Sequence, residues 1–186
     1  MAGDDMKTCI ISFSSRENGN CAQTGKLIQS VIEDAELFDF SKMILHPCGN
    51  CAYQCFSSRD QCPYIDDMAF RLLDAVTHSD LTYFIIPNYC DYPCANYFIF
   101  NERSQCYFRG RPELLEKYEN VRKRAVVVSN TSEENFTRAL SYQSYERVEI
   151  LVLSAKKYGK NSIKGDLLTD KRVVSKLKEF IGKPLS

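Results

Sequence analysis

Lys7-Thr8-Cys9-Ile10-Ile11-Ser12-Phe13, then Ser14-Ser15-Arg16-Glu17-Asn18-Gly19-Asn20, then Cys21 to Glu33, is the stretch from which the fold is read. The first seven residues form a short, β-branched apolar run, the pattern of a strand buried on both faces. The next seven are polar. In the third part Leu27, Ile28, Val31 and Ile32 recur at helical spacing. The same unit of strand, loop and amphipathic helix recurs along the chain. Ala35–Phe40 (AELFDF), Leu81–Ile86 (LTYFII, ended by Pro87), Ala125–Val128 and Val148–Leu153 (VEILVL) read as strands. Asp66 or Asp67 caps a helix whose apolar face is Ala69, Leu72, Leu73 and Val76. Ala95–Cys106 reads as a helix, and Thr131 with Glu134 has capping-box spacing ahead of Phe136, Ala139 and Leu140. The last helix starts near Lys171, carries Val173, Val174, Leu177, Phe180 and Ile181, and is stopped by Gly182 and Pro184. Residues 107–124 and 154–168 read as polar connections, and 43–63 as an irregular insert.

Short apolar strands alternating with amphipathic helices imply a parallel sheet covered on both faces. The expected fold class is α/β: a doubly wound, five-stranded parallel sheet of order 2-1-3-4-5 in three α/β/α layers. A single domain over residues 1–186 is expected, with a cysteine-rich insert at about 43–65. In that order a ligand sits at the carboxyl ends of the strands, beside the switch between strands one and three. The loops there are 14–21 and 87–92.

Composition narrows the function. The 186 residues carry 24 Lys+Arg and 24 Asp+Glu, so no global field exists to hold a polyanion, and nucleic acid is not expected as a partner. No run approaches a membrane span, and Met1 to Lys7 lacks signal-peptide anatomy, so a cytoplasmic protein is expected. Nine cysteines, an odd number, cannot all pair within the chain. Seven lie between Cys48 and Cys106. In the cytosol such clustering points to metal, cluster or redox chemistry more than to structural bridges. Cys9 reads as a buried apolar residue.

The loop Ser14–Cys21 leaves a strand and enters a helix, so it presents backbone N–H groups at the positive end of a helix dipole. Arg16 adds charge, and Gly19 permits a close backbone approach or a positive φ. There is no Walker Lys-Ser/Thr pair and no GxGxxG, so a terminal monophosphate suits the loop better than a triphosphate or pyrophosphate. An ordinary β-α turn with an Asn-Gly pair has the same sequence. The segment resembles the phosphate loop G-S-x-R-x-x-G-N-T of the NADPH-dependent FMN reductase and iron–sulfur flavoprotein group of the flavodoxin-like superfamily. Ser14, Arg16, Gly19 and Asn20 match. Phe13 stands where the group has Gly, and Cys21 where it has Ser or Thr.

Pro87-Asn88-Tyr89-Cys90 resembles the P-V-Y segment that lines the isoalloxazine ring in that group. Phe100-Asn101-Glu102-Arg103 falls where the group has F-I-D-R. The resemblance implies that FMN is held at its phosphate by Ser14, Arg16, Asn18, Gly19, Asn20 and Cys21, and at its ring by Pro87, Asn88, Tyr89 and Cys90. Ser129-Asn130-Thr131 is a further candidate for the pyrimidine edge, with Asn130 the residue in question, or else caps a helix. Asp91 places a carboxylate near the ring.

Cys48-x2-Cys51-x3-Cys55-x6-Cys62-Pro63 packs four thiols into a short loop. Thiolates so spaced can serve an iron–sulfur cluster or a tetrahedral zinc, or remain free. The segment is similar to the compact cysteine motif of iron–sulfur flavoproteins, with a third gap one residue longer, which implies a possible [4Fe–4S] cluster. His46 nearby reads as a loop residue.

The expectation is therefore an FMN-dependent oxidoreductase that takes electrons from NAD(P)H and passes them to a small molecule or a small redox protein. Hydride chemistry would belong to the cofactor, so no catalytic side chain is required. The resemblance implies a homodimer or homotetramer. Two alternatives stand beside it: a flavin plus [4Fe–4S] electron-transfer protein, and a flavodoxin-like binding domain that has lost FMN.

Overall fold

A computed structural model of the chain describes residues 6–49, 51–130, 136 and 148–184, leaving aside the side chain of Arg59. The elements run β1 (Thr8–Ser12), α1 (Asn20–Val31), β2 (Glu36–Asp39), α2 (Met68–Thr77), β3 (Leu81–Tyr89), β4 (Tyr92–Pro93), α3 (Ala95–Phe108), α4 (Pro112–Asn120), β5 (Arg122–Ser129), β6 (Val148–Ser154) and α5 (Lys171–Gly182). The main sheet has the order β2-β1-β3-β5-β6, with β4 paired antiparallel to β3. Pairs β1–β2, β1–β3, β3–β5 and β5–β6 are all parallel. Leaving the two-residue β4 aside, this is the expected order 2-1-3-4-5, and the fold is flavodoxin-like.

Strand alternation divides the apolar residues into two cores. Ile11, Phe13, Phe84, Ile86, Ala125 and Val127 meet α2 and α3 on one side of the sheet. Ile10, Tyr83, Ile85, Val126, Val128 and Leu153 meet α1 and α5 on the other. Both faces being covered is why the strands read as continuous apolar runs. In α5, Val173, Leu177, Phe180 and Ile181 are buried, Val174 is half-buried at the margin of that face, and the remaining residues are exposed. The N-terminus of α2 is capped by Asp67, whose Oδ1 accepts from Ala69 N at 2.9 Å.

Several boundaries differ from expectation. β3 continues through Pro87 to Tyr89: β1 pairs with it only as far as Ile85, so Pro87 has a ladder neighbour on one side alone, Val128 of β5, as at a sheet edge where Pro is tolerated. Residues 87–92 are therefore strand and turn: Cys90 and Asp91 (φ 51° and 65°) close a two-residue hairpin into β4. Within 107–124 lies α4, with Pro112 at its first turn, where the missing N–H costs nothing. β5 starts at Arg122, three residues early. Its Lys123 and Arg124 are almost wholly buried yet satisfied. Lys123 Nζ donates to the carbonyls of Tyr118 (2.6 Å) and Val121 (3.1 Å). Arg124 donates to Tyr83 Oη and to the carbonyls of Ile181 and Lys183, tying β5 to the end of α5. The connection 154–168 contains three short 3-10 turns, Ala155–Tyr158, Ser162–Lys164 and Leu167–Thr169. The capping box at Thr131 and Glu134, with Ala139 and Leu140, lies outside the described residues; Phe136 is buried in the first core.

Candidate functional site

The carboxyl ends of β1, β3 and β5 meet around a small cavity of about 50 Å³. It is lined by loop 14–21, by Pro87 to Tyr89, by Val128 and by Ser162 with Ile163. Two larger clefts, about 410 and 280 Å³, open beside Met6, Lys7 and Arg122, at the amino ends of the strands. In a parallel α/β sheet the helix N-termini that favour anions point to the other end, so the smaller cavity is the candidate.

Phe13 leaves β1 with its N–H donating to Ile85 O at 2.9 Å, and its ring turns down into the core. Phe13, the larger of the loop's two departures from the resembled pattern, thus does not fill the cavity. The chain turns over Ser14, whose Oγ accepts from Arg16 N at 3.2 Å, and Gly19 N donates to Arg16 O. The left-handed residue is Asn18 (φ 57°), and Gly19 is extended. Gly19 matters for closeness instead: a Cβ there would meet Arg16 Cβ at 3.2 Å and Arg16 O at 3.3 Å. Gly19 is also the N-cap of α1 and makes no side-chain cap bond. The first-turn N–H groups therefore meet the cavity without a capping side chain, and the dipole is left for an anion.

The expected phosphate residues separate into two groups. Ser14, Arg16, Gly19, Asn20 and Cys21 all line the cavity, whereas Asn18 sets the turn. The Asn20 side chain is occupied elsewhere: Nδ2 donates to Ser162 O (3.0 Å) and Oδ1 accepts from Leu167 N (3.0 Å). Cys21 is buried, and burial pushes its thiol up, with the Cys94 thiol adding to the effect. It offers the cavity an apolar wall and a backbone N–H.

On the ring side, Pro87, Asn88 and Tyr89 line the cavity. Asn88 is buried, and its Nδ2 donates to Ser129 Oγ at 2.9 Å. Tyr89, 55 % exposed, lines the cavity, and Tyr92, 51 % exposed, is its cross-strand partner in the hairpin. Burial raises the Tyr89 hydroxyl, as do the Cys21 and Cys94 thiols, while Arg16 opposes them. Cys90 is exposed at the hairpin tip, outside the cavity lining. Asn96 of α3 donates to Phe13 O and Ser15 Oγ, both at 2.8 Å, and buttresses the first loop. Asn130 turns to Ser162, through Nδ2 to Oγ at 2.8 Å.

Sequence reasoning missed Ser162 and Ile163. They come from the 154–168 connection, whose polar composition carries no chemical motif. The only local signals were the paired glycines 159 and 165, both left-handed, and Asn161, whose Oδ1 accepts from Ile163 N.

The insert hangs on Arg103. This guanidinium is fully buried and donates to Asp67 Oδ2 (2.5 Å), to the carbonyls of His46 and Tyr64 (both 2.9 Å) and to Cys62 Sγ (3.8 Å). His46 stacks on Tyr64 with ring centroids 4.5 Å apart. Cys48, Cys51 and Cys55 are partly exposed, Cys62 is buried, and all nine thiols are free. Cys55 and Cys62 lie within interaction range of Cys106 of α3; burial, then these two thiols, push Cys106 up to about 12. Among the described residues no three His, Cys, Asp or Glu side chains are placed to hold a metal ion. The four thiols of the insert do not fit a cluster as arranged here.

The thiols support a prediction. Burial pushes Cys94 up to about 11 and Cys106 to about 12. Unfolded thiols titrate near 9, so above pH 9 the unfolded chain releases protons that the folded chain keeps. Stability is full below pH 9 and falls as pH rises from there through 11 and 12. Iodoacetamide at pH 8 is expected to modify exposed Cys90 first, with Cys94 and Cys106 reacting only on unfolding. Peptide mapping by mass spectrometry checks the order; early labelling of Cys106 contradicts it.

The strand order, with helices on both faces of the sheet, defines a flavodoxin-like α/β fold. No family model matches the sequence, and no curated protein matches it significantly. Solved structures do. The Trp repressor binding protein of Bacillus subtilis superposes with a TM-score of 0.64 at 13 % identity, covering 96 % of this chain and 99 % of that one. The flavoenzyme NAD(P)H:(acceptor) oxidoreductase FerB of Paracoccus denitrificans gives 0.54 at 13 %, covering 95 % of each. RosB, solved with bound 8-demethyl-8-formylriboflavin-5'-phosphate, gives 0.64 at 10 %, covering 96 % of this chain and 77 % of that one. At these identities the shared property is the fold. No described helix is long and apolar enough to cross a membrane.

Proposed function

We propose that this chain is a flavin-dependent oxidoreductase that binds FMN and accepts electrons from NAD(P)H. The observation that carries the reading is the uncapped N-terminus of α1, opening with Arg16 on a phosphate-sized cavity beside the switch point. FerB and RosB share the fold, and their names concern an NAD(P)H oxidoreductase and a flavin phosphate. FMN, when bound, would supply hydride acceptance from a nicotinamide and delivery to a second acceptor.

The chain's own residues bind and orient. Ser14, the backbone N–H groups of Asn20 and Cys21 and the Arg16 guanidinium would hold the phosphate, with Gly19 allowing the close approach. Pro87 to Tyr89 would border the ring, with Tyr89 and Tyr92 as its apolar neighbours. The physiological acceptor would be a small molecule or small redox protein, and the chain would work in the reducing cytoplasm as a homodimer or homotetramer.

The test is direct. Purified protein is expected to take up FMN, quench its fluorescence, and lose the oxidised-flavin absorption when NADH or NADPH is added anaerobically. Protein that stays colourless and leaves FMN fluorescence unchanged overturns the reading. Arg16→Ala is expected to raise the Kd for FMN by about 10–100-fold, the worth of one charge-assisted hydrogen bond, and to leave riboflavin binding unmoved. Equal losses for both ligands in a fluorescence titration would remove Arg16 from the phosphate site.

A further inference from the structure

One wall of the cavity comes from neither loop that the topology points to. Residues 159–165, between β6 and α5, fold back over the first loop, turning at left-handed Gly159 and Gly165 (φ 65° and 71°). A Cβ on Gly165 would meet Asn18 O at 3.3 Å, so glycine is needed for the approach. The wall is bonded on both sides. Arg16 Nη2 donates to Ile163 O at 2.5 Å, Asn20 Nδ2 to Ser162 O at 3.0 Å, and Gln23 Nε2 to Gly165 O at 2.8 Å.

Ser162 is held more tightly than its neighbours. Its Oγ accepts from Asn130 Nδ2 at 2.8 Å, and its N–H points to Asn130 Oδ1 at 3.4 Å. An oxygen that already accepts still has its hydroxyl hydrogen to give. No described residue takes that hydrogen, and Ser162 lines the cavity. The surrounding segment is positive: residues 154–168 hold Lys156, Lys157, Lys160 and Lys164 against Asp166 alone. The cavity has room for one small oxyanion, and Arg16 and Ile163, bonded to each other, both line it.

Resting on the flavin reading, we propose that Ser162 is a further donor to the terminal phosphate, positioned by Asn130, and that the Ser162–Ile163 wall ends the pocket. A monophosphate is then accepted, and a chain that continues into a second phosphate, as in FAD, is excluded.

The test titrates the wild-type protein, Ser162→Ala, Asn130→Ala and the double variant with FMN, riboflavin, FAD and inorganic phosphate. Flavin fluorescence and the amide NMR shifts of residues 14–21 and 162–163 are the readouts. Ser162→Ala is expected to weaken FMN about tenfold and leave riboflavin within about twofold. Asn130→Ala is expected to do the same alone and to add nothing in the Ser162→Ala background, which general loosening of the fold would not produce. FAD is expected to bind the wild type at least about tenfold more weakly than FMN. Equal losses of FMN and riboflavin, no loss, or FAD as tight as FMN overturns the proposal. Binding of no flavin at all overturns the flavin reading, and inorganic phosphate then decides the wall. Phosphate-induced shifts at 19–21 and 162 that weaken in Ser162→Ala uphold it, and shifts that leave 162 still overturn it.

Discussion

Arg103→Met is expected to lower the free energy of unfolding by about 3–5 kcal/mol, the usual result of removing one partner of a buried ion pair. Arg103 has no exposed surface, and the Asp67 side chain beside it is only 8 % exposed. Methionine would fill much of the space but leave the Asp67 carboxylate with only the His46 ring, Nδ1 3.4 Å away, in place of the guanidinium, and the carbonyls of His46 and Tyr64 without this donor. Asp67 also caps α2 and accepts from His46 N, so its carboxylate has no easy way to move into water. The consequence is local as well as global. The guanidinium is the main bond from α3 to residues 46–64, so the variant is expected to be cut by protease within the insert before the sheet unfolds. Urea denaturation with limited proteolysis checks both. A loss under about 1 kcal/mol, with the insert still protected, would show that the ion pair is dispensable.

Phe13→Ala is expected to cost about 3–5 kcal/mol, as large aromatic deletions in closed cores do. The ring is wholly buried and lies 5.2 Å from Phe40, 5.6 Å from Phe84, 5.4 Å from Tyr97 and 5.6 Å from Phe100, measured between centroids. Such aromatic pairs add about 0.5–1.5 kcal/mol each beyond area burial. Phe13→Leu keeps most of the volume and is expected to lose less. Guanidinium denaturation of the three proteins gives the order. If Phe13→Ala is no less stable than Phe13→Leu, the aromatic cluster is not what holds this position. The Phe13 carbonyl accepts from Asn96 Nδ2 and Cys94 Sγ, so the cavity's first loop depends on the same residue. Glycine, which the resembled phosphate loop has here, would empty the centre of this core.

Periodicity found β1, β2, α1, α2 and α5 because their apolar residues face a core at regular intervals. It stopped short on β5 because Lys123 and Arg124 look like surface residues. Their burial rests on carbonyl acceptors from α4 and from the end of α5, which no window of local sequence contains. α4 itself was hidden by Gly110 and Pro112, though Pro at a first turn is a start signal as much as a break. In the site, the loop Ser14–Cys21 was legible from its strand–loop–helix context. The role of Asn20 was not, since its amide turns to residues 162 and 167, more than 140 positions away.

The sequence by itself determined the alternation of strands and helices, hence the doubly wound sheet and the end of it where a ligand sits. Hydrophobic patterning and helix dipoles are local properties, and they suffice for that. The tertiary structure alone decided which of the nine thiols meet: Cys62 beside Arg103 and near Cys106, with Cys90 left at an exposed turn. It alone also brought residues 159–165 across the first loop. Both depend on hydrogen bonds between segments far apart in the chain, and such bonds leave no periodic trace in the residues that make them.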